Sequence, residues 1–540
     1  MTALHRAVEP AAAVDPITVE VIGSAFMSIA EEMGETLVRA SYSTNIKERR
    51  DCSTALFDAD GLSLCQAEHI PMHLGSFLTF IQAIKDRIDP ATIAPGDVFI
   101  GNDPYVGGGT HLPDIVLAEP AFVDGRIVAW AINTAHHSDF ADRGHAHIYQ
   151  EAIRIPPVRL RRGDVVQEDV LDLILLNCQV PRERLSDLRA QLAANRLGVR
   201  RIVSLHGRYG SETVLAAGAA LQDYADRKMR AGLSAIPDGT YRFEDAFESL
   251  EVREPQRISV AITILGDTIT LRFDAPPQVR AAANMPYTAL LSAVNYAVKA
   301  AVDPTIPPNG GLARAITVEA APGTIVNCVH PAAVNNRMSC CQRVVDIVLG
   351  ALAQAMPHRM PACSASATIA ALFSGTRDDG APWVYLGVIG GGAGARPTKD
   401  GLDGVQVHLT NTSNLPAEAL ETEYPLTLLR YELAEGSGGH GRFRGGLGLW
   451  RRYRVERDCR IELDGSRIVT RPWGLAGGDA GQGLAIRVDG VDTLFPLGVG
   501  LLKAGQVIDL VSPGGGGFGP PPARDPDASA RDRAEGLFGT

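Results

Sequence analysis

The chain has 540 residues, 45% of them hydrophobic and 21% charged, with 51 Lys and Arg against 62 Asp and Glu for a net charge of −11. That length allows several domains and a large core, whereas an acidic balance without long single-sign runs argues against nucleic acid or an anionic membrane as the main partner. No apolar run reaches the roughly 18 residues of a membrane span, MTALHRAVEPAAAVDP lacks a signal-peptide core, and eight cysteines without a CxxC pair read as reduced thiols, so a cytoplasmic protein is expected.

In chain order, Asp15-Pro16 opens an amphipathic helix in which Val19, Ile22, Phe26, Ile29, Met33, Leu37 and Val38 recur at helical spacing. Two short β-rich runs around Asp60-Gly61 read as a hairpin that ends in Glu68, His69 and His73, residues able to orient ligands or act as a base. A helix over 77–88 follows, and then PGDVFIGNDP, a strand running into a loop. There Pro104 restricts Asp103 to extended geometry, and Gly107-Gly108-Gly109 lets the backbone approach a ligand closely.

The next stretch carries the chemistry. Apolar runs over 115–122 and 126–134 flank Asp124-Gly125, a strong signal for a two-residue hairpin turn. Pairing Val123 with Arg126 sets Asp114 opposite Ala135 and Pro113 opposite His136, so His111, Asp114, His136 and His137 are expected to cluster. Imidazoles with a carboxylate suit Zn²⁺, Mn²⁺ or Fe²⁺ and leave positions open for substrate. Strict alternation would divide these side chains between two faces, which a ladder starting only after Pro113 could relieve. A surface hairpin with loop histidines is the plainer alternative.

Beyond the histidines come two helical patterns, the second dense in charge. From residue 236 the pattern turns to period two with Asp-Gly and Gly-Asp turns, then returns to apolar helices, and from 374 glycine rises sharply. The expected fold is a multi-domain α/β (mixed α+β) protein with antiparallel and mixed sheets, packed helices and Gly-rich loops. Its expected divisions are a disordered N-terminus (1–14), a metal-binding α/β domain (15–235), a mixed sheet and helix domain (236–373), a Gly-rich β domain (374–521) and a disordered, proline-rich tail (522–540). No glycine run has the strand-to-helix context of a P-loop or dinucleotide fingerprint, so no nucleotide site is expected on this chain.

Taken in order, ERRDCSTALFD, QAEHIPMHLGS, GDVFIGNDPYVGGGTHLPDI, AHHSD, IPP, DLRAQLAAN, GGGAGARP, NLPAEALETEYP, GGHGRFRGGLG and PGGGGFG resemble the hydantoinase B family, which includes one half of 5-oxoprolinases and subunits of acetone and acetophenone carboxylases. The resemblance covers about residues 15–522. It implies a hetero-oligomer in which an A-type ATPase subunit uses ATP and Mg to phosphorylate a carbonyl oxygen, while the B-type subunit holds a divalent metal and opens a cyclic amide. In the carboxylases the same subunit joins an enolate to carboxyphosphate; a member that only scaffolds the complex is the non-enzymatic alternative.

On this sequence the implied ligands are His111, Asp114 and His136, with His137 as an alternative. Asp103 is the candidate base or substrate-orienting carboxylate, with Glu68 behind it. One departure stands out. Family members usually follow the double histidine with an Asp, an apolar residue and two glycines, but here HHSDFADRGHAHIYQEAIRIPP has Ala141-Asp142 in place of the glycines, so a different substrate-facing lip is expected.

Overall fold

The computed structural model describes residues 14–137 and 145–538. The first 13 residues and the segment 138–144, which holds the departure after the double histidine, lie outside the described residues.

Helix Pro16–Ala40 starts where Asp15 accepts from the amides of Ile17 and Thr18, with Pro16 in the first turn where its missing N–H costs nothing. Its stripe of Ile22, Phe26, Ile29, Met33 and Leu37 is buried. The stripe packs, with helices Pro181–Tyr209 and Ser211–Ser234, on one face of a seven-stranded sheet. The strands are β1 (Cys52–Asp58), β2 (Ser63–Gln66), β3 (Val98–Gly101), β4 (Asp114–Val123), β5 (Arg126–His136), β6 (Val158–Arg162) and β7 (Val165–Val166). They run antiparallel in the order β2-β1-β5-β4-β3-β6-β7.

Alternation divides β5 cleanly. Ala129, Ala131 and Ala135 belong to the helix-covered face, while Trp130 and Ile132 join Phe57, Phe77 and Phe80 on the other. The β4–β5 turn has Asp124 at φ 49° and Gly125 at φ 75°, as a primed two-residue turn requires.

A second sheet has strands Gly239–Phe247, Gln256–Leu265 and Thr268–Asp274 in antiparallel succession, with Ile316–Ala320 added in parallel. The apolar helices Tyr287–Val302 and Met338–Ala355 share its core. Two more sheets follow in the last third of the chain, one containing Ile369–Thr376 and Cys459–Asp464 and one containing Leu449–Val455 and Val507–Val511, around one common core. The mixed α/β architecture with antiparallel and mixed sheets agrees with the sequence reading.

The glycine runs lie against one another, backbone to backbone. A Cβ on Gly392 would meet Gly446 O at 1.9 Å, and one on Gly445 would meet Gly515 O at 1.9 Å. Their amides donate to each other's carbonyls, for example Gly446 N to Ala393 O and Gly515 N to Gly446 O, both 2.8 Å. Glycine is required because no side chain fits between the segments.

The tail departs from the disordered expectation. Helix Pro526–Ala534 is capped by Asp525, and its Asp532 accepts from Arg524 (2.6 Å) and from Arg444 (3.3 Å), while Arg524 also donates to Asp400 (2.9 Å). A polar, proline-rich composition is overridden here by ion pairs to residues far back in the chain.

Candidate metal centre

Register brings the central residues together. From Val123↔Arg126 the ladder reaches Ala121↔Ala129 with Val128 as an extra residue, and this bulge moves every later pair by one place. Asp114 therefore faces His136, where unbroken pairing would set it opposite Ala135. Residues directly opposite share a face. The face is that of Trp130 and Ile132, and the bulge removes the conflict that simple alternation posed.

His111 approaches from the loop before β4, and the ligand-type atoms of His111, Asp114 and His136 all lie within 4.8 Å of one another. The two imidazole rings are 4.9 Å apart, centroid to centroid. His111 Nδ1 lies 3.0 Å from the carbonyl of Asn335. A carbonyl can only accept, so the proton is on Nδ1 and Nε2 presents a lone pair. That lone pair is 3.1 Å from Asp114 Oδ1, and both atoms are buried without a hydrogen-bond partner among the described residues. Two acceptors turned on one another in a buried site are the donor set a cation fits.

The electrostatics suit that role. Burial, then the Arg337 charge, holds His111 below its usual range, and burial takes His136 down to about 3, so both imidazoles are neutral as ligands must be. Burial would raise the Asp114 carboxyl, but with the Arg337 guanidinium on its other oxygen it stays well below the usual carboxylate range. Arg337 donates to Asp114 Oδ2 at 2.9 Å and to Thr110 Oγ at 2.8 Å. Asn45 donates to His136 O at 2.8 Å and lies 3.3 Å from its Nδ1.

These residues open on a cavity of about 130 Å³, which Asp51, His73, His145, Glu151, Glu462 and Asp464 also line. His73 Nε2 is 3.6 Å from Asp114 Oδ1 and 3.8 Å from Asp51 Oδ1, while its Nδ1 meets Ser53 Oγ at 2.9 Å. Asp51 is placed by the start of β1, and its carbonyl accepts from His136 N at 3.0 Å.

Three sequence candidates lie elsewhere. His137 follows His136 on the strand and so turns to the opposite face, where its Nε2 is 2.9 Å from Gln191 Oε1; it is not a member of the cluster. Asp103 is buried in its own turn, accepting from Tyr105 N at 2.8 Å and pairing with Arg154, and it is not among the cavity's lining residues. These contacts hold the Asp103 carboxylate in its own loop. Glu68 is exposed and lines a different cavity with His69 and Lys299. Asp51, Arg337, Glu151, Glu462 and Asp464 were missed, since tertiary contacts alone bring them to the site; the one local signal was Asp51, immediately before the β-rich run of β1.

Comparison with known proteins gives a family model described as hydantoinase B/oxoprolinase that matches residues 15–521. The chain is similar to the B-type subunit of a putative D-/L-hydantoinase from Pseudomonas sp. (strain NS671), 32% identical over 97% of this chain and 93% of the relative. Its fold is similar to the crystal structure of an ATP-dependent caprolactamase from Pseudomonas jessenii (TM-score 0.90, 30% identity, 97% of this chain and 95% of that one). A nucleotide-free acetone carboxylase structure shares the fold (TM-score 0.88, 97% of this chain and 78% of that one), at 18% identity.

Proposed function

The chain belongs to the hydantoinase B/oxoprolinase family, and from that premise we propose that it is the cytoplasmic, metal-binding B-type subunit of an ATP-dependent enzyme that opens a cyclic amide after an A-type ATPase subunit has phosphorylated the amide oxygen. The observation that carries this reading is the buried, unpartnered pair of His111 Nε2 and Asp114 Oδ1 beside His136 on a cavity wall, a statement made of the described residues. His111, Asp114 and His136 would hold a divalent transition metal. When bound, the ion would supply Lewis-acid polarisation at the carbon under attack.

The chain's own residues divide the remaining work. Arg337 keeps Asp114 ionised and aimed, and the Asn335 carbonyl fixes the His111 tautomer. Asp51 and His73, which line the cavity beside the ligand set, would take the proton from the attacking water, a role for which their position supports them over Asp103 and Glu68. An amide is a poor electrophile, and phosphorylation of its oxygen by the partner creates the leaving group that the attack needs.

The test is reconstitution with an A-type ATPase subunit, following phosphate and ring-opened product. Ring opening with ATP consumption and no bicarbonate requirement supports the reading. Product formed only with bicarbonate would assign the chain to a carboxylase. If His136→Ala abolishes ring opening but spares much of the ATP cleavage, phosphorylation and attack belong to different subunits.

A further inference from the structure

A second group of charged residues lines the same cavity as the metal-ligand set. His145 Nδ1 is 2.9 Å from Glu251 Oε1 and its Nε2 is 3.3 Å from Glu462 Oε1. Burial opposes its charge, but the bond to Glu251 and the Glu462 charge raise it to about 9, so one imidazolium serves two carboxylates.

Glu151 and Asp464 form no ion pair among the described residues, and the His145 charge acts on both only from beyond ion-pair distance. Glu151 is 4% exposed; its Oε1 accepts from the amides of Val334 (2.7 Å) and Asn335 (2.6 Å), while its Oε2 is buried without a hydrogen-bond partner among the described residues. Asp464, 8% exposed, accepts only a long bond from Ser339 Oγ at 3.3 Å among the described side chains. Arg337, the one guanidinium that lines the cavity among the described residues, is already committed to Asp114 and Thr110. Burial pushes both carboxyls upward, Glu151 to about 7, and the His145 charge offsets this only in part.

The geometry points to a subsite for a protonated amine at Glu151 and Asp464, so that the cavity takes a cyclic amide carrying an ammonium group on its ring and rejects one carrying an ionised carboxylate. An ammonium brings three donors and a positive charge, which together satisfy the open Oε2 and the two buried carboxyls. A carboxylate-bearing ring would bring an anion against Glu151 and Asp464, where like charges repel. The inference rests on the cyclic-amide reading and adds to it the charge of the substrate. Asn335 joins the two ends of the cavity, with its amide on Glu151 and its carbonyl facing His111.

The experiment is calorimetric titration of the full chain with δ-valerolactam, its α-amino derivative as the ammonium, and the same ring carrying a carboxylate, with metal content measured on the same samples. The ammonium ring should bind roughly tenfold more tightly than the parent, and the carboxylate ring should not bind. Glu151→Gln, which keeps an acceptor for Val334 and Asn335, and Asp464→Asn should each reduce that preference toward parity. Equal affinity for parent and ammonium rings, a preference that survives both substitutions, or no binding of any ring overturns the subsite. An ammonium preference without metal leaves the subsite standing and removes the metal reading; metal with no preference does the reverse.

Discussion

Asp114 and His136 are cross-strand partners because Val128 is bulged out of β5, and that pairing puts a carboxylate and an imidazole on one face at the open end of the hairpin. Across the site, Arg337 closes on the other oxygen of the same carboxylate at 2.9 Å. Asp114 is 0% and Arg337 2% exposed, so neither charge is relieved by water.

Removing the guanidinium should therefore show in stability before activity. Arg337→Gln leaves a buried anion facing a lone pair, a change expected to cost about 3 kcal/mol in metal-stripped protein. Added divalent metal should recover much of that loss, because binding only to the folded state stabilises it. Urea unfolding with chelator and with metal checks both halves. A loss that is the same in either condition would separate Arg337 from the ligand set.

The pH dependence of stability carries a second prediction. His145 has a folded-state value of about 9 against an ordinary 6.5, and a group raised on folding stabilises fully below its unfolded value and loses that stabilisation as pH rises through its folded one. Wild type should lose up to about 3 kcal/mol between pH 6.5 and 9 relative to His145→Gln. Parallel stability curves for the two proteins would show that Glu251 and Glu462 do not hold the imidazolium.

The glycine layers make a third case. Gly392→Ala and Gly445→Ala drive a methyl to 1.9 Å from a carbonyl oxygen and should each cost more than about 3 kcal/mol or prevent folding. Gly207→Ala, in helix Pro181–Tyr209 with nothing within 4 Å of the new Cβ, should gain up to about 1 kcal/mol from helix propensity. Thermal melts of the three variants decide it. A Gly392 variant as stable as wild type would mean these backbones are not in contact.

Local pattern carried the hairpin, since Asp124-Gly125 between apolar runs names its own turn, and with it the company of His111, Asp114 and His136. The bulge at Val128 has no sequence signal, because one extra valine among β-formers looks like any other strand residue. Adjacency also misled. His137 neighbours His136 in sequence but faces Gln191, and Asp103 is close to the ligands along the chain yet committed to its own turn and Arg154. The reverse holds for Arg337, which reaches Asp114 from 223 residues away, and for Asp532, whose ion pairs order a tail that composition reads as disordered.

The glycine runs also bear on nucleotide binding. Since many of their amides are taken up by neighbouring carbonyls and serine hydroxyls, the isolated chain is expected to bind Mg-ATP no more tightly than millimolar, with tight binding left to the partner. Calorimetry on the chain alone tests this, and micromolar binding would mean that the chain holds a phosphate site of another kind.

If His111, Asp114 and His136 hold a metal, elemental analysis of the purified chain beside His111→Ala, Asp114→Asn and His137→Ala, each confirmed as folded by circular dichroism, will show it. Wild type and His137→Ala should carry about one divalent transition metal per chain, while the His111 and Asp114 variants lose most of it, because affinity depends on the complete ligand set. Full occupancy in folded His111→Ala and Asp114→Asn, or loss of metal on replacing His137 alone, would mean that the metal is held elsewhere.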